Sequence, residues 1–223
     1  TPVAVTVLSS ELINDARLMS VKDIEALTPN LNFVVSADGS GSTLQAFIRG
    51  IGQFDFAVTT DPGVGMYVDG VYLARSIGAN LEFSDIERIS VLRGPQGTLF
   101  GKNTIGGAIN VVTKAPTGET RFTGELTAGS FGYTGAKAYA EFPLSDTVAG
   151  SISLIAKQSD GWQKRSVGDD AGAEDMMGLR AHLNTDFSSS WNSHLVLDTV
   201  TQDQSIYPRV LSDFDGTQFF PFL

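Results

Sequence analysis

The run Ile86-Glu87-Arg88-Ile89-Ser90-Val91-Leu92-Arg93-Gly94-Pro95-Gln96-Gly97-Thr98-Leu99-Phe100-Gly101, with Gly106-Gly107-Ala108-Ile109-Asn110-Val111-Val112-Thr113-Lys114 after it, decides how the chain is read. Its opening is ambiguous by itself, because Ile86, Ile89 and Leu92 recur at a spacing that suits a helix or a strand. Its close, residues 109–114, is rich in β-branched side chains and reads as a strand. Between them lies the densest glycine cluster of the chain. Gly101-Lys102 invites comparison with a phosphate-cradling loop, but position 96 is Gln where that motif needs Gly, and position 103 is Asn where it needs Ser or Thr. Gly50-Ile51-Gly52 likewise lacks the third glycine of a dinucleotide fingerprint. The cluster reads as structural, supplying positive φ and close backbone approach in a loop-rich domain.

Upstream of that run the chain reads as mixed α and β. Residues 3–8 form a strand, and Ser9 and Ser10 are caps for a short helix through Ala16. Ser20 with Asp23 three positions on resembles a capping box, which predicts a helix over 21–27, stopped by Pro29. A polar Ser/Gly stretch over 36–42 leads to a strand at 43–49. Residues 63–73 read as a hairpin turning at Asp69-Gly70.

Downstream of Pro116-Thr117-Gly118 the rhythm changes to long alternation with period 2. Ile152, Leu154 and Ala156 share one face, and so do Met177, Leu179, Ala181, Leu183 and Phe187, opposite Arg180, His182, Asn184 and Asp186. Similar faces run through residues 121–128, 134–144 and 191–198. Five such segments of roughly ten residues suit membrane-spanning strands better than globular ones. The connections agree: residues 143–147 and 188–190 are short, whereas 158–175 reads as a long acidic loop, the asymmetry of an outer-membrane barrel. Phe131, Tyr133, Phe142, Trp162, Phe187 and Trp191 stand near segment ends, as interfacial aromatics do. A soluble β-sandwich with one wet face has the same alternation and stays open at this point.

Composition narrows the classes. The 223 residues carry 15 Lys+Arg against 25 Asp+Glu, a net charge of -10, which argues against binding the phosphate backbone of nucleic acid. Residues 1–118 hold 8 basic and 11 acidic residues, so most of the acidity lies in the second half. With no Cys, disulfides, thiolate metal sites and cysteine nucleophiles are excluded. His182 and His194 lie on adjacent strands and can approach each other, but a hydrated polar face explains them as well as a metal does. Asp213-Phe214-Asp215-Gly216 is half of a calcium loop without its distal Glu. No nucleophile has a visible base. No catalytic residue and no resident metal site is expected, and the chain does not read as an enzyme.

The decisive run resembles the plug signature of TonB-dependent outer-membrane receptors. So do Ile48-Arg49-Gly50, Tyr67-Val68-Asp69-Gly70-Val71, and the opening Pro2-Val3-Ala4-Val5-Thr6-Val7-Leu8 with Pro29-Asn30-Leu31. The resemblance implies an α+β plug domain over residues 1–118. Residues 119–223 would be about the first five antiparallel strands of a transmembrane β-barrel, of the kind with 22 strands and a plugged lumen. Five strands cannot close a barrel when the smallest have about eight, so the chain is expected to be the N-terminal part of a longer receptor or a fragment joined by other chains. A TonB box is expected upstream of Thr1.

Such receptors sit in the Gram-negative outer membrane, against lipid and lipopolysaccharide. They bind a small-molecule nutrient at the outer face, most often a ferric siderophore or other iron chelate, and import it with energy transduced by TonB with ExbB and ExbD. Oligosaccharide, cobalamin and other organic ligands are the alternatives, as is a signalling or protein-binding role, with a surface lipoprotein or other outer-membrane protein as partner. No cofactor is implied, although the substrate can carry iron or another metal. In the family, the arginines matching Arg49 and Arg93 pair with wall carboxylates and anchor the plug. Outward loops over 53–61 and 72–80 would touch substrate, naming Phe54, Asp55, Phe56, Tyr72 and Arg75, with lumen-facing Arg180 and His182 as further candidates.

Overall fold

Ser9 Oγ accepts the backbone N–H of Leu12 at 3.4 Å and caps α1 (Ser10–Asp15), which follows β1 (Ala4–Ser9). Residues 4–35, 43–54, 60–74, 85–164 and 170–205 are described by the computed structural model. The second expected helix is present as a 3₁₀ helix, Val21–Leu27. Asp23 Oδ2 accepts the N–H groups of Met19 and Ser20, both at 2.8 Å, so aspartate does the work of the usual glutamate. β2 (Leu31–Val35), which the pattern of residues did not announce, pairs antiparallel with β3 (Leu44–Ile48).

The main sheet of this half contains β1, β4 (Val64–Val68), β5 (Val71–Leu73), β6 (Ile86–Arg93) and β7 (Gly107–Thr113) in the order β1-β6-β7-β4-β5. The ambiguous segment 86–93 is therefore a strand. Only β4 with β7 runs parallel among these neighbours. The Asp69-Gly70 turn joins β4 to β5 with both residues at positive φ, +49° and +81°, as a tight two-residue hairpin requires. Its carboxylate also holds the end of β7, Oδ1 accepting the N–H of Thr113 at 2.8 Å and Oδ2 its hydroxyl at 2.7 Å. Gly107 opens β7 at φ +153°, where an added Cβ would lie 2.3 Å from the Leu92 carbonyl oxygen. Ile24, Ile48, Ile89, Ile109, Val91 and Val111 are wholly buried between this sheet and the helical turns. Each such side chain contributes about 1.5–3 kcal/mol of apolar burial.

The second half is one antiparallel sheet of β8 (Arg121–Ala128), β9 (Thr134–Ser145), β10 (Val148–Gln163), β11 (Ala171–Ser188) and β12 (Trp191–Gln204), each beside its sequence neighbour. Ile152, Leu154, Met177, Leu179, Leu183, Leu195 and Leu197 are exposed on one face, while Tyr139, Glu141, Ser151, Ser153 and His182 are buried on the other. This apolar-out, polar-in order is that of a membrane barrel wall and the reverse of a soluble sandwich. Phe131, Trp162, Phe187 and Trp191, all near strand ends, are exposed as interfacial aromatics should be.

Most of the stretch 158–175, expected to be a long loop, is instead strand. β10 continues to Gln163 and β11 begins at Ala171, so these strands reach 16 and 18 residues. Gln158, Ser159, Asp160, Glu174 and Asp175 interrupt their ends, so the alternation that marks a lipid-facing strand is broken there. The register shift between Asp160 and Gln163 disturbs the pattern further.

Candidate functional site

The two sheets meet through polar side chains. Arg180, on the inward face of β11, reaches Asp85 just before β6: Nη1 donates to Asp85 Oδ1 at 2.9 Å. The same guanidinium holds Asp198 of the neighbouring β12, with Nε and Nη2 both 2.8 Å from Oδ2. The Asp85 side chain has no exposure and that of Arg180 only 14%. Arginine suits such a place because its planar fork can serve two carboxylates at once. His182, one inward position beyond Arg180 and fully buried, puts Nε2 3.4 Å from Asp85 Oδ2. Its Nδ1 lies 2.9 Å from Nε2 of His194, and the two rings stack at 5.2 Å. That contact needs one ring nitrogen to donate and the other to accept.

A second junction holds the segment between the halves. Glu141 Oε1 accepts both the N–H and the hydroxyl of Thr117, the hydroxyl at 2.6 Å, and Tyr139 Oη donates to Oε2 at 3.1 Å. Asn184 Nδ2 donates to the Pro116 carbonyl at 2.9 Å. Higher on the same inward face, Lys157 pairs with Glu174 at 2.8 Å across β10 and β11.

Of the residues singled out beforehand, Asp55, Phe56 and Arg75 lie outside the described residues. Phe54 is 72% exposed, tilts against Phe47 at 4.5 Å between ring centres, and accepts at its carbonyl from Gln45 Nε2 at 2.7 Å. Tyr72 belongs to a separate group: its ring lies 5.3 Å from that of Tyr67, and its oxygen accepts from Asn103 Nδ2 at 2.8 Å. Tyr67 Oη donates to the carbonyl of Phe100, on the one-turn helix α2 (Gly97–Phe100), at 2.6 Å. Burial, helped by Tyr72, pushes the Tyr67 phenol above its ordinary range.

Arg180 and His182 are brought together, on Asp85. Arg93 Nη1 donates to the Pro29 carbonyl at 3.2 Å, within its own half. Among the described residues, neither Arg93 nor Arg49 meets a wall carboxylate. Asp85, Glu141 and Asp198 were not foreseen. A carboxylate before a strand carries no signal of a partner 95 residues away.

Residues 1–108 match the family model described as the TonB-dependent Receptor Plug Domain. The pesticin receptor of Yersinia pestis is 32% identical over 183 residues, covering 81% of this chain and 26% of that protein. The crystal structure of the ferric yersiniabactin uptake receptor FyuA from Yersinia pestis superimposes with a TM-score of 0.72 at 29% identity, over 82% of this chain and 29% of that one. The chain belongs to the TonB-dependent receptors. Its first sheet is the plug, and its second has the antiparallel strands of an outer-membrane barrel wall. The vitamin B12 transporter BtuB of Photobacterium profundum is 25% identical over 227 residues, covering 97% of this chain and 34% of that protein. The chain thus spans about a quarter to a third of the length of the receptors it matches.

Proposed function

We propose that the full-length receptor binds a ferric siderophore or similar iron chelate at the outer face and imports it into the periplasm. The observation that carries this reading is the match to the ferric yersiniabactin uptake receptor, which joins a TM-score of 0.72 to 29% identity. Energy would come through TonB with ExbB and ExbD, since the outer membrane has no potential or nucleotide supply of its own. Lipid and lipopolysaccharide would cover the exposed leucine face of the wall. Phe54 and Tyr72 would meet the cargo, with Asp55, Phe56 and Arg75 from the same loops. Aromatic faces with a cation suit an aryl-bearing, anionic chelate. Arg180 and His182 would then act from the wall, through the plug.

The match to BtuB along nearly the whole chain favours a corrinoid as the second reading. Titration of the purified full-length receptor, followed by tryptophan fluorescence, separates them. Saturable quenching by ferric siderophores at submicromolar concentration, with none from cyanocobalamin, supports iron. The reverse pattern assigns the corrinoid and removes the iron reading.

A further inference from the structure

We infer that Asp85 is a point at which the barrel wall grips the plug, and that Arg180 with Asp198 forms a releasable latch on it. Among the described residues, Asp85 and Arg180 form an ion pair across the two sheets at 2.9 Å, and His182 Nε2 lies 3.4 Å from the same carboxylate. Other described pairs, such as Arg88 with Glu87 and Lys157 with Glu174, stay within one sheet. Much of the inward wall around the latch is neutral, with Tyr139, Ser151, Ser153 and Ile155 buried there. Among the described residues, Asp85 is a plug carboxylate that meets both a wall arginine and a wall histidine.

Its position gives that carboxylate leverage. The Asp85 carbonyl accepts the N–H of Lys114 at 2.7 Å, so Asp85 lies beside the exit of β7, whose continuation is tied down by Asn184 and Glu141. The wall therefore holds the central strands β6 and β7 where the chain enters one and leaves the other. Release is built in as well. A buried cation left without a partner is costly, but Arg180 keeps Asp198 when Asp85 departs. Asp85, once withdrawn, can be solvated by water. Both charges therefore have a partner before and after the plug moves.

The latch rests on the barrel enclosing the plug and not on the identity of the cargo. It is tested with the full-length receptor in outer membranes and vancomycin as the probe, a molecule that an intact outer membrane excludes. Asp85→Asn and Arg180→Gln should each lower the inhibitory concentration of vancomycin fourfold or more, at wild-type levels of heat-modifiable receptor. The double variant should fall no further than either single one, because both remove the same contact. Inhibitory concentrations within twofold of wild type, or an additive fall in the double variant, would overturn the latch. Should Asp85→Asn fail to assemble, Asp85→Glu displaces the carboxylate while keeping its charge and is read by the same two outcomes. No cargo takes part, so a failed iron reading leaves this result intact.

Discussion

Asp85 of the plug and Arg180 of the wall, 95 residues apart in the chain, meet at 2.9 Å with both side chains shielded from water. This contact turns two sheets that each have their own hydrogen-bond ladder into one assembly. It also makes the plug-to-wall junction polar rather than greasy. In the transport reading proposed above the plug shifts, and an apolar core joining it to the wall would then be exposed to water.

The linker junction should be as sensitive as the latch. Glu141 is buried and accepts from both Thr117 groups and from the Tyr139 hydroxyl, so Glu141→Ala takes the acceptor from three donors, at roughly 1–3 kcal/mol each. Hydrogen exchange at the Thr117 amide should quicken at least tenfold in the full receptor. Wild-type protection in that variant would show that Glu141 does not hold the linker.

Gly107 tolerates no side chain. In Gly107→Ala the new Cβ would fall 2.3 Å from the Leu92 carbonyl and 2.7 Å from Ile48 Cδ1, at a φ that L residues avoid. The clash and the backbone strain together should cost on the order of 3 kcal/mol. Amides of β6 and β7 should lose about a hundredfold of exchange protection, while those of β10 and β11 keep theirs.

Tyr67 gives the plug an alkaline limit. Its folded-state pKa lies above the unfolded value, so the neutral phenol stabilises the fold fully below the unfolded value of about 10. That contribution is lost as pH rises through the higher folded value. Tyr67→Phe removes the hydrogen bond to the Phe100 carbonyl, at about 1 kcal/mol, and should flatten the alkaline decline in plug protection measured from pH 9 upward. An unchanged decline would assign the alkaline limit to another group.

The outward face predicts a positional contrast. Leu197→Arg places a charge where the wall meets lipid and should cost about 2–4 kcal/mol near the bilayer midplane. Folding yield into lipid vesicles should fall accordingly. Thr123→Arg, with the inward parity of Arg121 on β8, should fold at nearly the wild-type yield.

These features differ in how openly the residues announce them. The wall was legible because lipid on one side and polar contacts on the other impose a strict period of 2, seen in Met177, Leu179 and Leu183 against Arg180, His182 and Asn184. The caps at Ser9 and Ser20 and the Asp69-Gly70 turn were legible because their chemistry is local. β2 was not, since Leu31–Val35 is short and its pairing with β3 is a tertiary choice. The ends of β10 and β11 were hidden because a strand that has left the membrane no longer needs an apolar face. The latch was hidden for a different reason. Arg180 and His182 were visible as inward-facing polar residues, but Asp85 gains its meaning only when folding brings its carboxylate to their side chains.

Uptake is the most direct test of the central claim. Cells lacking their own receptor and carrying the full-length protein would be given ⁵⁵Fe-labelled ferric siderophore, with and without a protonophore. The account predicts saturable accumulation of label that stops when the proton gradient is collapsed or TonB is deleted, while surface binding persists. Accumulation that continues without the gradient, or label that binds and never enters, would contradict it.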